Sequence, residues 1–202
     1  MAKTLLTTRT RVRRILDEFT EANWVETDLT TVINERYHRV YTAQCALHKD
    51  YNITVSAILN LVIGQQEYTT ANGLPSDIFK IRRVEINLDS ANSNSTNQRA
   101  FPLHNIDAVR DRLNNTTVGL MTYTHPNYYL LGGKLGFIPI PDKAGTYQVW
   151  YYPVLPDLVA DGDPLNIVYP DRYYNIVAIG AAADALRFGQ LESAEADKLD
   201  QK

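Results

Sequence analysis

Residues 135–158, LGFIPIPDKAGTYQVWYYPVLPDL, decide much of the fold, together with residues 174–186, YNIVAIGAAADAL. The first stretch combines tyrosines, β-branched residues and prolines, which is typical of short strands that end where the prolines stand. The second stretch has the small residues and the apolar spacing of a packed helix. Neither stretch contains a catalytic pattern, and both have the composition of surfaces that pack against something.

The composition of the chain limits the classes of function. Its 202 residues are 45% hydrophobic, which is enough for a sizeable core. A net charge of -3 and a pI near 5.8 give no overall attraction to nucleic acid or to an anionic membrane. No stretch reaches the roughly 18 apolar residues of a membrane span. The single cysteine, Cys45, can form no internal disulfide, which favours an intracellular protein.

The N-terminal segment predicts a helical hairpin over residues 10–47. The first helix, from about Thr10 to Glu21, has an apolar face and, opposite it, a strongly basic face. That apolar face consists of Val12, Ile15, Leu16 and Phe19. The second helix is expected to begin after Thr27 or Asp28, either of which is a good cap, and to end near Leu47. Its predicted buried stripe is Leu29, Val32, Ile33, Tyr37 and Val40.

The period changes to that of strands from residue 51, which predicts a β-rich insertion over residues 51–156. Residues 79–88, FKIRRVEINL, form the clearest strand, with Ile81, Val84 and Ile86 as buried candidates. The polar residues 89–98 predict a loop, residues 99–106 a returning strand and residues 107–115 a short helix. Turns at Gly132 with Gly133, and at Gly145, are expected to join the last strands.

The C-terminal helix is predicted over residues 170–188, with a charged tail over residues 189–202. A run of small residues from Gly180 to Ala185 leaves little bulk on its surface, so a neighbouring backbone could approach closely. The predicted fold class is therefore α+β, a single domain over residues 1–202. In it, a helical bundle of two N-terminal helices and the C-terminal helix carries a β-sheet insertion.

Motifs for chemistry are missing from the sequence. It contains no nucleophile elbow, no dinucleotide fingerprint and no phosphate-binding loop. The acidic residues of DLVADGD, at 157–163, do not have the spacing of a calcium loop. The four histidines, at 38, 48, 104 and 125, fall into no ligand spacing. We therefore expect no catalytic residues, metal, cofactor or small-molecule substrate.

Two groups of side chains are candidates for contacts with partners. The arginines of the first helix could face an acidic partner or phosphates, although a solvated face is the simpler interpretation. They are Arg9, Arg11, Arg13 and Arg14. Adjacent tyrosines in a strand point to opposite faces, so one of each pair is expected to leave the core and be available to an interface. The subunit-interface candidates are Tyr128, Tyr151, Tyr173, Gly180 and Ala181.

The order of these segments resembles the head-to-tail adaptor, or connector, proteins of tailed bacteriophages over nearly the whole length. The matching segments include RTRVRRILDE at 9–18, TTVINERYHRVY at 30–41 and EYTTANGLPSDIFKIRRVEI at 67–86. They also include GKLGFIPIPDKAGTYQVWYYPVLPDL at 133–158 and YPDRYYNIVAIGAAADAL at 169–186. No single motif among them is diagnostic, and the loop at 89–98 has no counterpart that we can match to the family.

The resemblance implies a structural virion protein without catalytic residues, located at the head-tail junction and assembled in the host cytoplasm. It implies a ring, commonly twelvefold, beneath the portal protein, with a further neck or tail protein below it and DNA passing through unread. We expect the segment from Leu186 to Lys202 to dock on another chain, the portal being the first candidate. The candidate contacts are Leu186, Arg187, Phe188, Leu191 and Leu199.

Three other functions remain open from the residues alone. A different tail or baseplate component would also use outward surfaces and edge strands. A DNA-binding protein could use the basic first helix, although the negative net charge and the tyrosine-rich sheet argue against it. An enzyme whose site is built from scattered residues would leave no motif.

Overall fold

The chain forms two compact units, each described by itself. The computed structural model describes residues 3–18, 24–48, 50–88, 98–103, 126–167 and 170–199, with the side chains of 173–189 in the last range. The helical unit comprises Met1–Asn52 and Leu155–Lys202, and the sheet unit comprises Ile53–Val154. The fold class is α+β, as predicted. The predicted helix at 107–115 and the predicted loop, up to residue 97, lie outside the described residues.

Helix α1 (Leu5–Ile15) begins five residues before the predicted start. Thr4 caps it reciprocally with Thr7, and the N–H groups of Leu5 and Leu6 donate to the carbonyls of Asp163 and Asp161. These bonds satisfy amides that a helix start otherwise leaves unpaired. Its buried stripe is Leu5, Thr8, Arg9 and Val12. The predicted apolar face is therefore wrong except at Val12, because Ile15 is exposed, Leu16 is half-buried and Phe19 lies outside the described residues.

Helix α2 (Glu26–Leu47) agrees closely with the sequence prediction. All five residues of its predicted stripe are buried, and it ends at the predicted residue. Its start differs, because Val25 is the N-cap residue and makes no side-chain cap. Glu26 and Asp28 lie in the first turn, where negative charge favours the positive end of the helix dipole.

Helix α3 (Pro170–Leu199) begins where predicted and continues to Leu199 instead of ending near residue 188. One face of it is fully buried, and the residues of that face are Val177, Ala178, Ala181, Ala182 and Ala185. The Tyr174 hydroxyl donates to the Thr7 carbonyl at 2.7 Å, which joins α3 to α1. The carboxylate of Asp184 pairs with Arg36 and Arg39, which joins α3 to α2.

The sheet unit contains one eight-stranded mixed sheet. Its strands are β1 (Thr54–Val55), β2 (Leu59–Leu61), β3 (Glu67–Tyr68), β4 (Ile78–Asn87), β5 (Gln98–Pro102), β6 (Asn127–Leu131), β7 (Lys134–Ile138) and β8 (Gly145–Pro153). The strand order is β1-β8-β4-β5-β6-β7-β3, with β2 also paired to β8. Strands β5 and β6 are parallel, and the other pairs are antiparallel.

The sheet curls so that strands from different parts of it share one core. Tyr68 of β3 and Tyr147 of β8 meet edge to face, with ring centroids 5.1 Å apart. Phe137 of β7 lies 5.5 Å from Tyr68 and 5.3 Å from Tyr147, also edge to face. Since β3 is the edge strand farthest from β8 in the order, this aromatic trio requires the curl.

The predicted turn at Gly132 and Gly133 is present, and both residues have the positive φ that such turns need. The predicted turn at Gly145 is wrong, because this residue is the first of β8. A Cβ at Gly145 would collide with the backbone carbonyl of Asn87, so the glycine permits a close approach of backbone. The prolines behave as predicted, since β7 ends just before Pro139 and β8 ends at Pro153.

Candidate interaction surfaces

The arginines of α1 lie on two different faces of the helix. Successive residues turn by about 100°, so Arg9 and Arg13 share one direction and Arg11 and Arg14 another. Arg9 is buried and pairs with Asp161 and with Glu26, whose carboxylate lies 2.7 Å away. The single basic face expected from the sequence is therefore wrong for Arg9, whose charge is compensated inside its own chain. The i to i+4 spacing of Leu5, Arg9 and Arg13 indicates in the sequence that Arg9 lies on the same side of α1 as the apolar Leu5.

Arg13 also interacts within its own chain. Its guanidinium donates to the Trp24 carbonyl at 3.0 Å and lies 3.8 Å from the Glu18 carboxylate. Glu18 in turn accepts from the Trp24 amide at 3.0 Å. Arg13 thus fixes the chain just before α2, and only Arg11 and Arg14 of the four candidates are exposed.

The exposed side of α1 forms a surface that we call the basic face. It consists of Lys3, Leu6, Thr7, Thr10, Arg11, Arg14 and Tyr174. The Lys3 ammonium lies 4.6 Å from the centre of the Tyr174 ring, a cation–π contact that orients both groups. Leu6 is 49% exposed, so the face also offers apolar area.

A second concave surface lies between α2 and α3, and we call it the acidic groove. It has a volume of about 490 Å³ and is lined by Trp24, Asp28, Thr31, Val32, Glu35, Phe188 and Gly189. Phe188 is 45% exposed, which is unusual for a large aromatic ring. Glu35 pairs with Arg39 of the same helix at 3.7 Å, and both side chains are exposed. The groove combines aromatic area with two carboxylates.

Residues 3–201 match the SU10 adaptor protein family. The chain belongs to this family. Membership is consistent with a head-to-tail adaptor of a phage and indicates a structural protein of the virion that contacts other virion proteins. Adaptor families of this kind are typically non-enzymatic. No curated protein sequence matches the chain significantly.

In this adaptor, the run of small residues on α3 serves packing within the chain. Gly180 and Ala181 are buried, and a Cβ at Gly180 would collide with the guanidinium of Arg36. The glycine therefore accommodates an arginine of α2, whereas the sequence analysis expected a backbone there. Neither Gly180 nor Ala181 presents surface to a neighbouring subunit in this conformation.

Most of the adaptor's paired tyrosines are buried, contrary to the expectation that one of each pair leaves the core. Tyr128 and Tyr151 face the core of the sheet unit, while Tyr129 packs on the other face with Ile138 and Leu103. Side chains therefore pack on both faces of the sheet at these positions, which alternation along one strand does not reveal. Burial raises the pKa of the Tyr128 and Tyr151 phenols, and it raises that of Tyr129 to about 12. Tyr173 is half-buried, 3.5 Å from His48.

Five residues near the C-terminus are candidates for a contact with a partner, and the side chains of three of them are described. Leu186, Arg187 and Phe188 are exposed, and Arg187 lies 3.5 Å from the Asp184 carboxylate. Leu191 and Leu199 lie on α3, but their side chains are outside the described residues. The exposed part of α3 therefore presents Leu186 and Phe188 as apolar side chains next to an arginine.

The sequence analysis missed an exposed patch on the sheet of the adaptor. Val55 of β1 is paired with Trp150 of β8, which is paired with Arg83 of β4. Trp150 is 36% exposed, and Phe79 and Phe101 on the neighbouring strands are about half exposed. The alternation of side chains along β8 could have indicated this patch, because it places Trp150 on the face opposite to the buried Val149 and Tyr151.

The described residues offer no metal site and no membrane-spanning helix. In the described part of the chain, no cluster of three histidine, cysteine or acidic side chains could hold a metal ion. None of the described helices is long and apolar enough for a membrane crossing. The structural features that stand out are the basic face, the acidic groove and the exposed patch, all of which fit contacts between proteins.

Proposed function

We propose that this protein is the head-to-tail adaptor that forms a ring beneath the portal protein and joins the capsid to the neck or tail. The observation that carries the proposal is the adaptor family match over residues 3–201, nearly the whole chain. The proposed ring is made of identical subunits, and twelve is the number that the resemblance implies. DNA passes through the ring without being read.

The helical unit supports this proposal because it has two dissimilar surfaces. Subunits of a ring meet head to tail, so each subunit needs two different and complementary surfaces. The basic face and the acidic groove are of this kind, since their lining residues differ completely in charge. We also propose that the helices act as a bundle in which the sheet unit is an insertion.

The C-terminal part of α3 is the proposed contact with the portal. Leu186 and Arg187 are exposed, and the helix continues ten residues beyond Gly189 to Leu199. A helix that has exposed apolar side chains fits into a groove of another protein. A downstream neck or tail protein would bind elsewhere on the ring, and assembly would take place in the host cytoplasm.

Labelling of purified virions tests the proposal against its closest alternative. Gold particles directed to this protein should lie at the junction of head and tail in electron micrographs. Labelling at the tail tip would instead support a baseplate component and refute the adaptor. Absence from the virion, combined with high-affinity binding of the isolated protein to duplex DNA, would support the DNA-binding alternative.

A further inference from the structure

We propose that the basic face of one adaptor subunit docks in the acidic groove of a second copy. The proposal rests on the proposed ring and names the surfaces that would close it. The contact is a helix-in-groove arrangement, in which α1 of one subunit lies between α2 and α3 of the next.

The charges of the two surfaces are complementary. Among the described residues that line them, the basic face carries Lys3, Arg11 and Arg14 and no acid, whereas the acidic groove carries Asp28 and Glu35 and no base. Among the described residues, Arg11, Arg14 and Asp28 have no ion-pair partner. Glu35 pairs only with an exposed arginine at 3.7 Å, a contact that contributes little free energy in water. These charges are therefore available to a neighbour.

The two surfaces also match in their apolar parts. The acidic groove exposes the Phe188 ring beside Trp24 and the buried Val32. The basic face offers Leu6, which lies one turn of helix before Thr10 on the same side of α1. Buried aromatic and arginine side chains commonly provide most of the binding energy of a contact between proteins.

The positions of the surfaces favour head-to-tail assembly. Tyr174 lies in the basic face and Phe188 in the acidic groove, and the step from position 174 to position 188 spans about 21 Å of α3. The two surfaces share no residue, so one subunit can use both at once. Contacts of this heterologous type continue from subunit to subunit and end only when a ring closes.

Charge reversal provides the test. The first variant, Arg11→Glu with Arg14→Glu, destroys the basic face and keeps the acidic groove. The second, Asp28→Lys with Glu35→Lys, does the opposite. The matched control, Lys80→Glu with Lys143→Glu, makes the same change in charge as the first variant on exposed residues of the sheet unit. All these side chains are exposed, so each variant is expected to fold. Thermal unfolding verifies that it does.

Assembly is measured by light scattering and native mass spectrometry, with the full chain alone and on the portal protein of the same phage. Each reversed variant alone should lose self-association by at least about tenfold, the expected cost of replacing attraction by repulsion at two sites. The control should assemble like the wild type. An equimolar mixture of the two reversed variants should assemble again, because every contact in an alternating ring then pairs opposite charges.

Other outcomes would overturn the proposal in distinguishable ways. Normal assembly of both reversed variants would show that other surfaces close the ring, and the proposed adaptor function would stand. Loss of assembly without rescue in the mixture would show that these charges bind another partner, with the portal or DNA as candidates. A wild type that never self-associates, even on the portal, would refute both this contact and the proposed ring.

Discussion

The close approach of Gly136 and Tyr129 predicts a severe effect of one added methyl group. The two residues are directly paired across β6 and β7, and a Cβ on Gly136 would overlap the Tyr129 ring. That ring is 2% exposed, and its hydroxyl donates to Glu67 at 3.3 Å. Gly136→Ala must therefore displace a buried ring or shift β7.

The magnitude follows from two costs and one gain in the free energy of folding. Overpacking of a core costs about 1–3 kcal/mol, and loss of the hydrogen bond adds about 1 kcal/mol. Alanine in a strand recovers about 0.5–1 kcal/mol of backbone entropy relative to glycine. We expect a net loss of about 1–3.5 kcal/mol in the free energy of unfolding of the sheet unit.

Urea unfolding, followed by the fluorescence of Trp150 in a Trp24→Phe background, reports on the sheet unit alone. The control is Ser76→Ala, an exposed position of the same sheet unit, and it should change stability by less than about 0.5 kcal/mol. If Gly136→Ala is as stable as the parent protein, the Tyr129 ring does not lie over this glycine, and the packing described for β6 and β7 is wrong.

Three further predictions concern the helical unit and the pH dependence of stability. Tyr37→Phe should cost about 1–2 kcal/mol in urea unfolding, because the fully buried Tyr37 hydroxyl accepts the Asn166 N–H at 2.6 Å; an unchanged stability would show that this bond contributes nothing. Burial raises the pKa of Tyr37 from 10.0 to about 12. The stabilisation that the neutral phenol gives is therefore complete below pH 10 and is lost as pH rises through 12. The thermal midpoint of Tyr37→Phe should accordingly decline less at alkaline pH than that of the wild type. Two backbone N–H donors, from Val159 and Ala160, lower the pKa of Asp163 below 3.8, so its contribution is present above that pH and lost as pH falls through the lowered pKa. Asp163→Asn should therefore flatten the acid side of the stability profile, and an unchanged profile would refute this role. Arg9→Met should lower stability by about 1–3 kcal/mol and leave self-association intact, whereas an assembly defect at unchanged stability would place Arg9 at an interface.

The sequence predicted the parts of this fold that depend on local periodicity. The stripe of α2 consists of apolar residues at helical spacing, and β8 alternates strictly between buried and exposed positions up to Trp150. The prolines likewise marked the ends of β7 and β8, since they cannot donate to a ladder.

The failures of prediction have tertiary causes. The buried stripe of α1 contains Thr8, whose hydroxyl donates to the Thr4 carbonyl, and Arg9, which pairs with Asp161 more than a hundred residues away. A hydrophobic pattern does not report such partners. The paired tyrosines were misassigned because apolar side chains pack on both faces of the sheet, with Tyr128 and Tyr151 in one cluster and Tyr129 in the other. The acidic groove joins Trp24 to Phe188, and nothing local relates these two positions.

The mass of the protein in solution tests the central claim most directly. Light scattering at increasing concentration, alone and with the portal protein of the same phage, would measure it. The proposed adaptor should form a ring, or remain a monomer that becomes a stoichiometric ring on the portal. A protein that stays monomeric at every concentration and does not bind the portal would contradict the account.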